Sequence, residues 1–144
     1  FARLGCVDRN TFIEAPKLLD ETLRVRPELP CANGIPPTWF AGQITGAEGY
    51  TEAIATGWYA AWNLASTLIH GKPKPLPEES CIASLLRQLV FPNENFQPMN
   101  FNFGLLPHKQ EMKKKNKKEI LGNEAILAVT KWLQEREQFP YAIT

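Results

Sequence analysis

The segment FAGQITGAEGYTEAIATG, residues 40 to 57, constrains the fold more than any other part of the chain. A short apolar run ends in three glycines, Gly42, Gly46 and Gly49, and no charged residue then stands between Glu52 and His70. Ala53, Gly57, Ala60, Ala61 and Ala65 predict a helix from about Gly49 to His70 whose thin surface lets other backbone approach closely. Gly71 is placed to cap its C-terminus, and Pro73 and Pro75 prevent its continuation. The uncharged run falls short of the roughly 20 apolar residues that a membrane span needs. It also contains Thr56, Asn63, Ser66 and Thr67, so a buried helix is the reading and no membrane contact is expected.

A strand ending at Gly42, a glycine-bearing turn and a helix N-terminus make a local anion site. The first-turn amides of a helix have no partner within it, and the helix dipole adds partial positive charge. Glycine lets a ligand come against the backbone. The spacing is neither GxGxxG nor the Gly-Lys-Ser/Thr of a Walker sequence, so glycines serving turn geometry alone remain an equal reading.

Around this segment the chain alternates short elements and turns. FARLGCV (1–7) reads as a buried strand, DRNTF as a turn, and Thr22 to Arg26 as an alternating strand. PELPCANGIPP (27–37) has strong turn chemistry in its prolines and Asn33-Gly34, and predicts a surface loop. TWFAG (38–42) reads as a short buried strand. GKPKPLPEE is an extended linker. Ser80 caps a predicted helix through Val90, with Ile82, Leu85, Leu86 and Leu89 on one face. Residues 93 to 107 predict an irregular loop, in which Phe96, Phe101 and Phe103 read as core more than as stacking groups. Residues 123 to 137 predict an amphipathic helix with Ile126, Val129, Trp132 and Leu133 inward.

A net charge of +1 gives no overall field that favours nucleic acid or an anionic membrane. The dense charge is local: Lys109, Lys113, Lys114, Lys115, Lys117 and Lys118. Such a run is ordinarily a solvated face. Cys6, Cys31 and Cys81 are odd in number and widely spaced, which argues against a disulfide framework or a zinc site and fits a reducing, cytoplasmic compartment. His70 and His108 are too far apart for a local metal motif, so no metal is assigned. The first residue is Phe1, inside an apolar run, and the expectation is a piece of a longer protein.

FAGQITGAEGYTEAIATG resembles the C-terminal flavin-site motif of the GidA/TrmFO group of FAD-dependent tRNA-modifying proteins. RNTFIEAPKLL (9–19) and NFQPMNFNFGLLP (95–107) are similar to signatures of its TrmFO branch, the folate- and FAD-dependent tRNA (uracil-5-)-methyltransferases, and the three segments occur in the same order. The resemblance implies an α/β fold: a C-terminal fragment of an FAD/NAD(P)-binding, Rossmann-like domain in residues 1 to 71, with a helical C-terminal extension in 72 to 144.

It also implies the chemistry. Methylenetetrahydrofolate gives a one-carbon unit, reduced FAD gives the electrons that make it a methyl group, and a reduced nicotinamide cofactor is the electron source. The acceptor is a uridine in the T-loop of tRNA. FAD-binding falls on Gly42, Gln43, Ile44, Thr45, Gly46, Glu48, Gly49 and Tyr50, folate-binding on Asp8, Arg9, Asn10 and Thr11, and tRNA-binding on Lys113, Lys114, Lys115, Lys117 and Lys118. Glu48 and Glu52 otherwise read as caps of the helix start, and Tyr50 as a cofactor contact or a core residue. The helix dipole would face the pyrimidine edge of the flavin and stabilise the reduced ring.

The dinucleotide fingerprint and the catalytic cysteines of the group are absent, so no catalytic residue is assigned, and the missing N-terminal part of the same protein is an expected partner. One residue departs from the pattern: the group usually reads His where this chain has Asp8, and an acid has no ring to stack on a pteridine. A family flavoprotein that has lost folate-dependent methylation is therefore one alternative. A freestanding helical RNA-binding module built on the lysine cluster is another.

Overall fold

Gly71 ends the longest element in the left-handed conformation, φ 73°, and its amide donates to Thr67 O at 2.9 Å. The computed structural model describes residues 13–107 and 116–135. The predicted strand at 1–7, Asp8 to Thr11, Lys109 and Lys113 to Lys115 lie outside the described residues.

Within the described residues the helices are α1 (Ala15–Leu18), α2 (Tyr50–His70), α3 (Cys81–Val90) and α4 (Lys117–Gln134). Single 3-10 turns occupy Pro30–Ala32, Gln43–Thr45 and Phe103–Leu105. α2 and α3 match the sequence reading. Ser80 caps α3 by accepting from Ala83 N at 3.0 Å, satisfying one of the amides that a helix start leaves over. Leu85, Leu86 and Leu89 are buried from this helix. Each contributes about 1.5–3 kcal/mol of transfer free energy.

The strands predicted at 22 to 26 and 38 to 42 do not form as ladders. Among the described residues there are only isolated bridges: Leu19 with Val25, Arg24 with Trp39, and Ala47 with Met99. The cause at 22 to 26 is local. Asp20 Oδ1 accepts from Thr22 N at 2.8 Å, Thr22 Oγ1 at 2.6 Å and Arg24 N at 3.2 Å. This bends the chain back on itself, and buried Leu23 takes φ 65°, a conformation that cannot continue a strand. The described structure is mostly helical, and the expected α/β architecture is not seen in it.

The loop at 27 to 37 leaves and returns through the Arg24–Trp39 bridge, with Val25 N donating to Thr38 O at 2.9 Å and Phe40 N to Leu23 O at 3.0 Å. The Arg24 guanidinium lies over the Trp39 ring, 5.6 Å from its centre.

α4 begins at Lys117, six residues before the predicted start, and its inward face is Leu121, Ala125 and Trp132. Ile126, predicted inward, is 67 % exposed. It sits one residue, about 100° of helix rotation, past Ala125. Trp132 sets that rotation. Its Nε1 donates to Pro75 O at 2.8 Å, Lys74 Nζ lies 5.2 Å from its ring centre, and it meets Trp62 at 5.2 Å and Trp58 at 6.3 Å between ring centres. The 72–79 connection is thereby fastened to α4. The main core draws on both halves of the chain: Leu19, Leu23 and Tyr59 pack with Leu76, Leu85, Leu89 and Trp132.

Candidate functional site: a glycine turn and the segment that braces it

The glycine turn is built from the backbone outward. Gly42 donates its amide to Thr56 Oγ1 at 2.9 Å, and Thr56 passes its own hydrogen to helix carbonyls, Glu52 O at 2.8 Å and Ala53 O at 3.1 Å. Thr56 is fully buried, one turn and a half into α2, so it ties the entry of the turn to the helix that follows. Thr45 closes the 3-10 turn through its amide and hydroxyl, both donating to Gly42 O, at 2.9 and 2.7 Å. Ile44 O accepts from Ile13 N at 2.8 Å. The turn is thus held before any ligand arrives.

Two of its glycines are required by close approach as well as by φ. At Gly46, φ 88°, a Cβ would lie 2.6 Å from Phe96 Cζ and 3.4 Å from Leu89 Cδ2. At Gly49, φ 96°, it would meet the Glu52 carboxylate and, at 2.9 Å, Asn100 Nδ2. Phe96 and Asn100 belong to the 95–107 segment, so the two motifs are packed against each other. Their backbones pair in parallel: Met99 N donates to Gly46 O at 2.9 Å, and Glu48 N to Met99 O at 3.0 Å. Asn100 Nδ2 adds a bond to Glu48 O at 3.1 Å, and Glu52 Oε1 accepts from Phe101 N at 3.1 Å.

The Glu52 carboxylate therefore stands at the helix start, where negative charge is favourable, and spends one oxygen on the bracing segment. Sequence reasoning named the 95–107 segment and Glu52 but did not find their contact with the turn, nor Thr56 as its anchor. Both are contacts between residues distant in sequence, and no local spacing reports them.

The eight residues assigned to the cofactor divide by exposure. Thr45 and Gly46 are turned into the core; Gly42, Ile44 and Gly49 are half-buried; Gln43, Glu48 and Tyr50 are open. Tyr50 is 92 % exposed and takes no part in the core of the described residues. Phe96 and Phe101 pack on the core, while Phe103 meets Phe101 edge-on at 5.7 Å. Lys117 and Lys118 occupy the first turn of α4.

Among the described residues, the cleft that borders the start of α2 is too small for a dinucleotide. It measures about 120 Å³ and lies between α2 and α3, lined by Thr51, Ala55, Thr56, Ile82, Leu85 and Phe101. Sites for ligands of that size run to about 300–1,000 Å³. Cys81 borders the cleft, and burial raises its thiol pKa, which suppresses the reactive thiolate. The larger cavity, about 600 Å³, lies between the 77–79 segment and α4 and is lined by Glu78, Glu79, Glu124 and Glu135 with Lys131. Its excess of acid is the wrong sign for phosphate. Among the described residues no helix is long and apolar enough to cross a membrane.

Comparison with known proteins identifies the family. The family model described as Glucose inhibited division protein A matches residues 1–72. Among curated relatives, methylenetetrahydrofolate–tRNA-(uracil-5-)-methyltransferase TrmFO of Geobacter sulfurreducens is 39% identical over 135 residues, covering 92% of this chain and 30% of the relative. The protein of the same name from Carboxydothermus hydrogenoformans is 43% identical over 138 residues, with 92% and 30% covered. That of Synechococcus sp. CC9311 is 46% identical over 113 residues, with 77% and 23% covered. The chain thus spans about 30% of the length of the first two relatives. The match takes in the whole glycine turn and all of α2, and this chain belongs to the GidA family.

Proposed function

We propose that residues 42 to 50 form one wall of an FAD site in a flavoprotein that methylates a T-loop uridine of tRNA, with the rest of the site supplied by parts of the protein beyond these residues. The carrying observation is the prebuilt turn: Gly42 is fixed by Thr56, Gly46 by Met99, and Gln43 and Tyr50 are left open beside it. The residues fit the cofactor. The first-turn amides of Tyr50, Thr51 and Glu52 have no partner within α2, and the exposed Tyr50 ring offers a flat apolar surface beside them.

The turn at Gly42 to Tyr50 would hold FAD, which when reduced would supply the electrons for making a methyl group from the one-carbon unit of methylenetetrahydrofolate, with a reduced nicotinamide cofactor as the proposed electron source. The chain's own residues bind and orient. The turn brings backbone against the ring system, and the 95–107 segment keeps it from opening. In the same reading, Asp8, Arg9, Asn10 and Thr11 face folate, Lys113, Lys114, Lys115, Lys117 and Lys118 meet tRNA phosphates, and the Rossmann-like α/β domain is completed by the remainder of the longer protein.

A titration of the flavin visible spectrum tests this, using this chain within a full-length family protein. Tyr50→Ala leaves the fold intact, because the side chain is exposed, and weakens FAD binding at least tenfold. Unchanged FAD affinity would reject the site. A second reading is motivated by Asp8, the acid where the group has histidine: a family flavoprotein without folate-dependent methylation. Asp8→His raising folate affinity would favour it.

A further inference from the structure

Arg24 carries a positive charge that nothing among the described residues neutralises. The residue is half-buried, and it belongs to neither ion pair found there, Lys17–Glu14 and Arg87–Glu78. Asp20, four residues back, spends Oδ1 on the Thr22 and Arg24 amides and the Thr22 hydroxyl, not on the guanidinium. Arg24 Nε is shielded from solvent and has no acceptor among the described residues. A buried donor without a partner loses its hydration and gains nothing, and the loss is larger for a charged group. Trp39 lies under the guanidinium, its ring centre 5.6 Å from Arg24 Cζ, and its own Nε1 is also buried without an acceptor there.

Arg24 borders a cavity of about 90 Å³ walled by the 27–37 loop. Sites for drug-sized ligands run to about 300–1,000 Å³, so this one takes a group of a few heavy atoms. Its walls offer few other donors. Pro27, Pro36 and Pro37 have no amide hydrogen. The amides of Arg24, Val25, Ala32 and Ile35 are already bonded, to Asp20 Oδ1, Thr38 O, Leu29 O and Ala32 O. The Thr38 hydroxyl donates to Pro36 O at 2.8 Å. The guanidinium is therefore the main donor left for a ligand. A water satisfies such a donor but not its charge. Recognition led by one cation, rather than by a ring of directed bonds, favours the anion with the most charge on the fewest atoms. A terminal phosphate carries about −1.5 to −2 at pH 7 and its oxygens match the guanidinium fork, whereas a carboxylate brings a single charge.

We infer that Arg24, held over Trp39, binds one terminal phosphate group in this cavity, that of inorganic phosphate or of a phosphomonoester. The inference does not use the flavin reading, and its ligand is not the cofactor.

The test is calorimetric titration at constant ionic strength with inorganic phosphate, ribose 5-phosphate and acetate, using this chain within a full-length family protein. Both phosphates should bind at least tenfold more tightly than acetate, and Arg24→Gln should lose that advantage. Arg26→Gln removes the same charge two residues on, outside the cavity lining, and should leave phosphate affinity within twofold. Arg24→Lys keeps the charge and should hold phosphate more tightly than Arg24→Gln. Tighter binding of inorganic phosphate would assign the cavity to the free ion, and tighter binding of ribose 5-phosphate to a phosphomonoester. Acetate binding as tightly as phosphate would overturn the proposal, a result read on the parent protein with no variant. So would phosphate affinity unchanged in Arg24→Gln, or equal in Arg24→Lys and Arg24→Gln. Equal losses in Arg24→Gln and Arg26→Gln would also overturn it, since they mark a response to net charge alone.

Discussion

Met99 pairs with Ala47 across a parallel bridge whose two hydrogen bonds, Met99 N to Gly46 O and Glu48 N to Met99 O, are 2.9 and 3.0 Å long. Two stretches about fifty residues apart are thereby one structure. Neither the glycine turn nor the asparagine-rich segment is complete without the other. Gly46 sits at their contact, with φ 88° and the Phe96 ring where its Cβ would be. Gly46→Ala combines left-handed strain with overpacking and should cost about 2–4 kcal/mol. A shift of the urea midpoint reads this directly; no shift would mean that Phe96 moves aside freely.

Thr56 gives a finer test of the turn. Thr56→Val removes the acceptor for Gly42 N in a fully buried place and should cost about 1–3 kcal/mol. Thr56→Ser keeps the oxygen and should recover most of the loss. Equal midpoints for the two variants would remove Thr56 as the anchor.

Trp132→Phe should loosen α4 from the 72–79 connection. It loses the bond to Pro75 O, and the expected destabilisation is about 1–3 kcal/mol. The tryptophan emission of Trp58 and Trp62 should shift at the same time, because both rings touch Trp132. A stability loss without a spectral change would contradict the observed packing.

Thiol chemistry should separate two cysteines. Cys31 is exposed, whereas burial raises the pKa of Cys81. A maleimide or iodoacetamide should modify Cys31 first at pH 7, with Cys81 lagging at least tenfold when peptides are mapped. Comparable rates would show that the α2–α3 cleft opens in solution.

Tyr59 predicts an alkaline limit. Burial raises its phenol pKa above 10.0, against smaller lowering contributions from Asn63 and the Leu76 backbone. The folded state then holds a proton that the unfolded chain releases first. This stability is complete below the unfolded pKa of about 10 and is lost as pH rises through the folded value. Tyr59→Phe should show a smaller fall in urea midpoint between pH 9 and 11 than the parent chain. An identical fall would assign the alkaline limit elsewhere.

The helices were legible where the signal was local. Gly49 and Gly71 bracket α2, and Ser80 caps α3, as their positions require. The strand reading at 22 to 26 failed because alternation describes only side-chain placement, while the Asp20 carboxylate controls the backbone there. The α4 face was misjudged at Ile126 because a weakly amphipathic helix takes its rotation from its strongest anchor, and the bond from Trp132 to Pro75 spans 57 residues. The glycine turn was visible as a site. That Thr45 and Gly46 face inward while Gln43 and Tyr50 face outward was not.

The sequence by itself determined where backbone would need glycine, where helices would start and stop, and which family's motifs the chain carries. These depend on φ preferences and on bonds between residues within a few positions of each other. The tertiary structure decided what each glycine approaches, which face of α2 the described core buries, and that Met99 rather than a neighbouring strand braces the turn. Those outcomes depend on contacts between distant residues, which form only once the core of Leu19, Tyr59, Leu85 and Leu89 has brought the segments together.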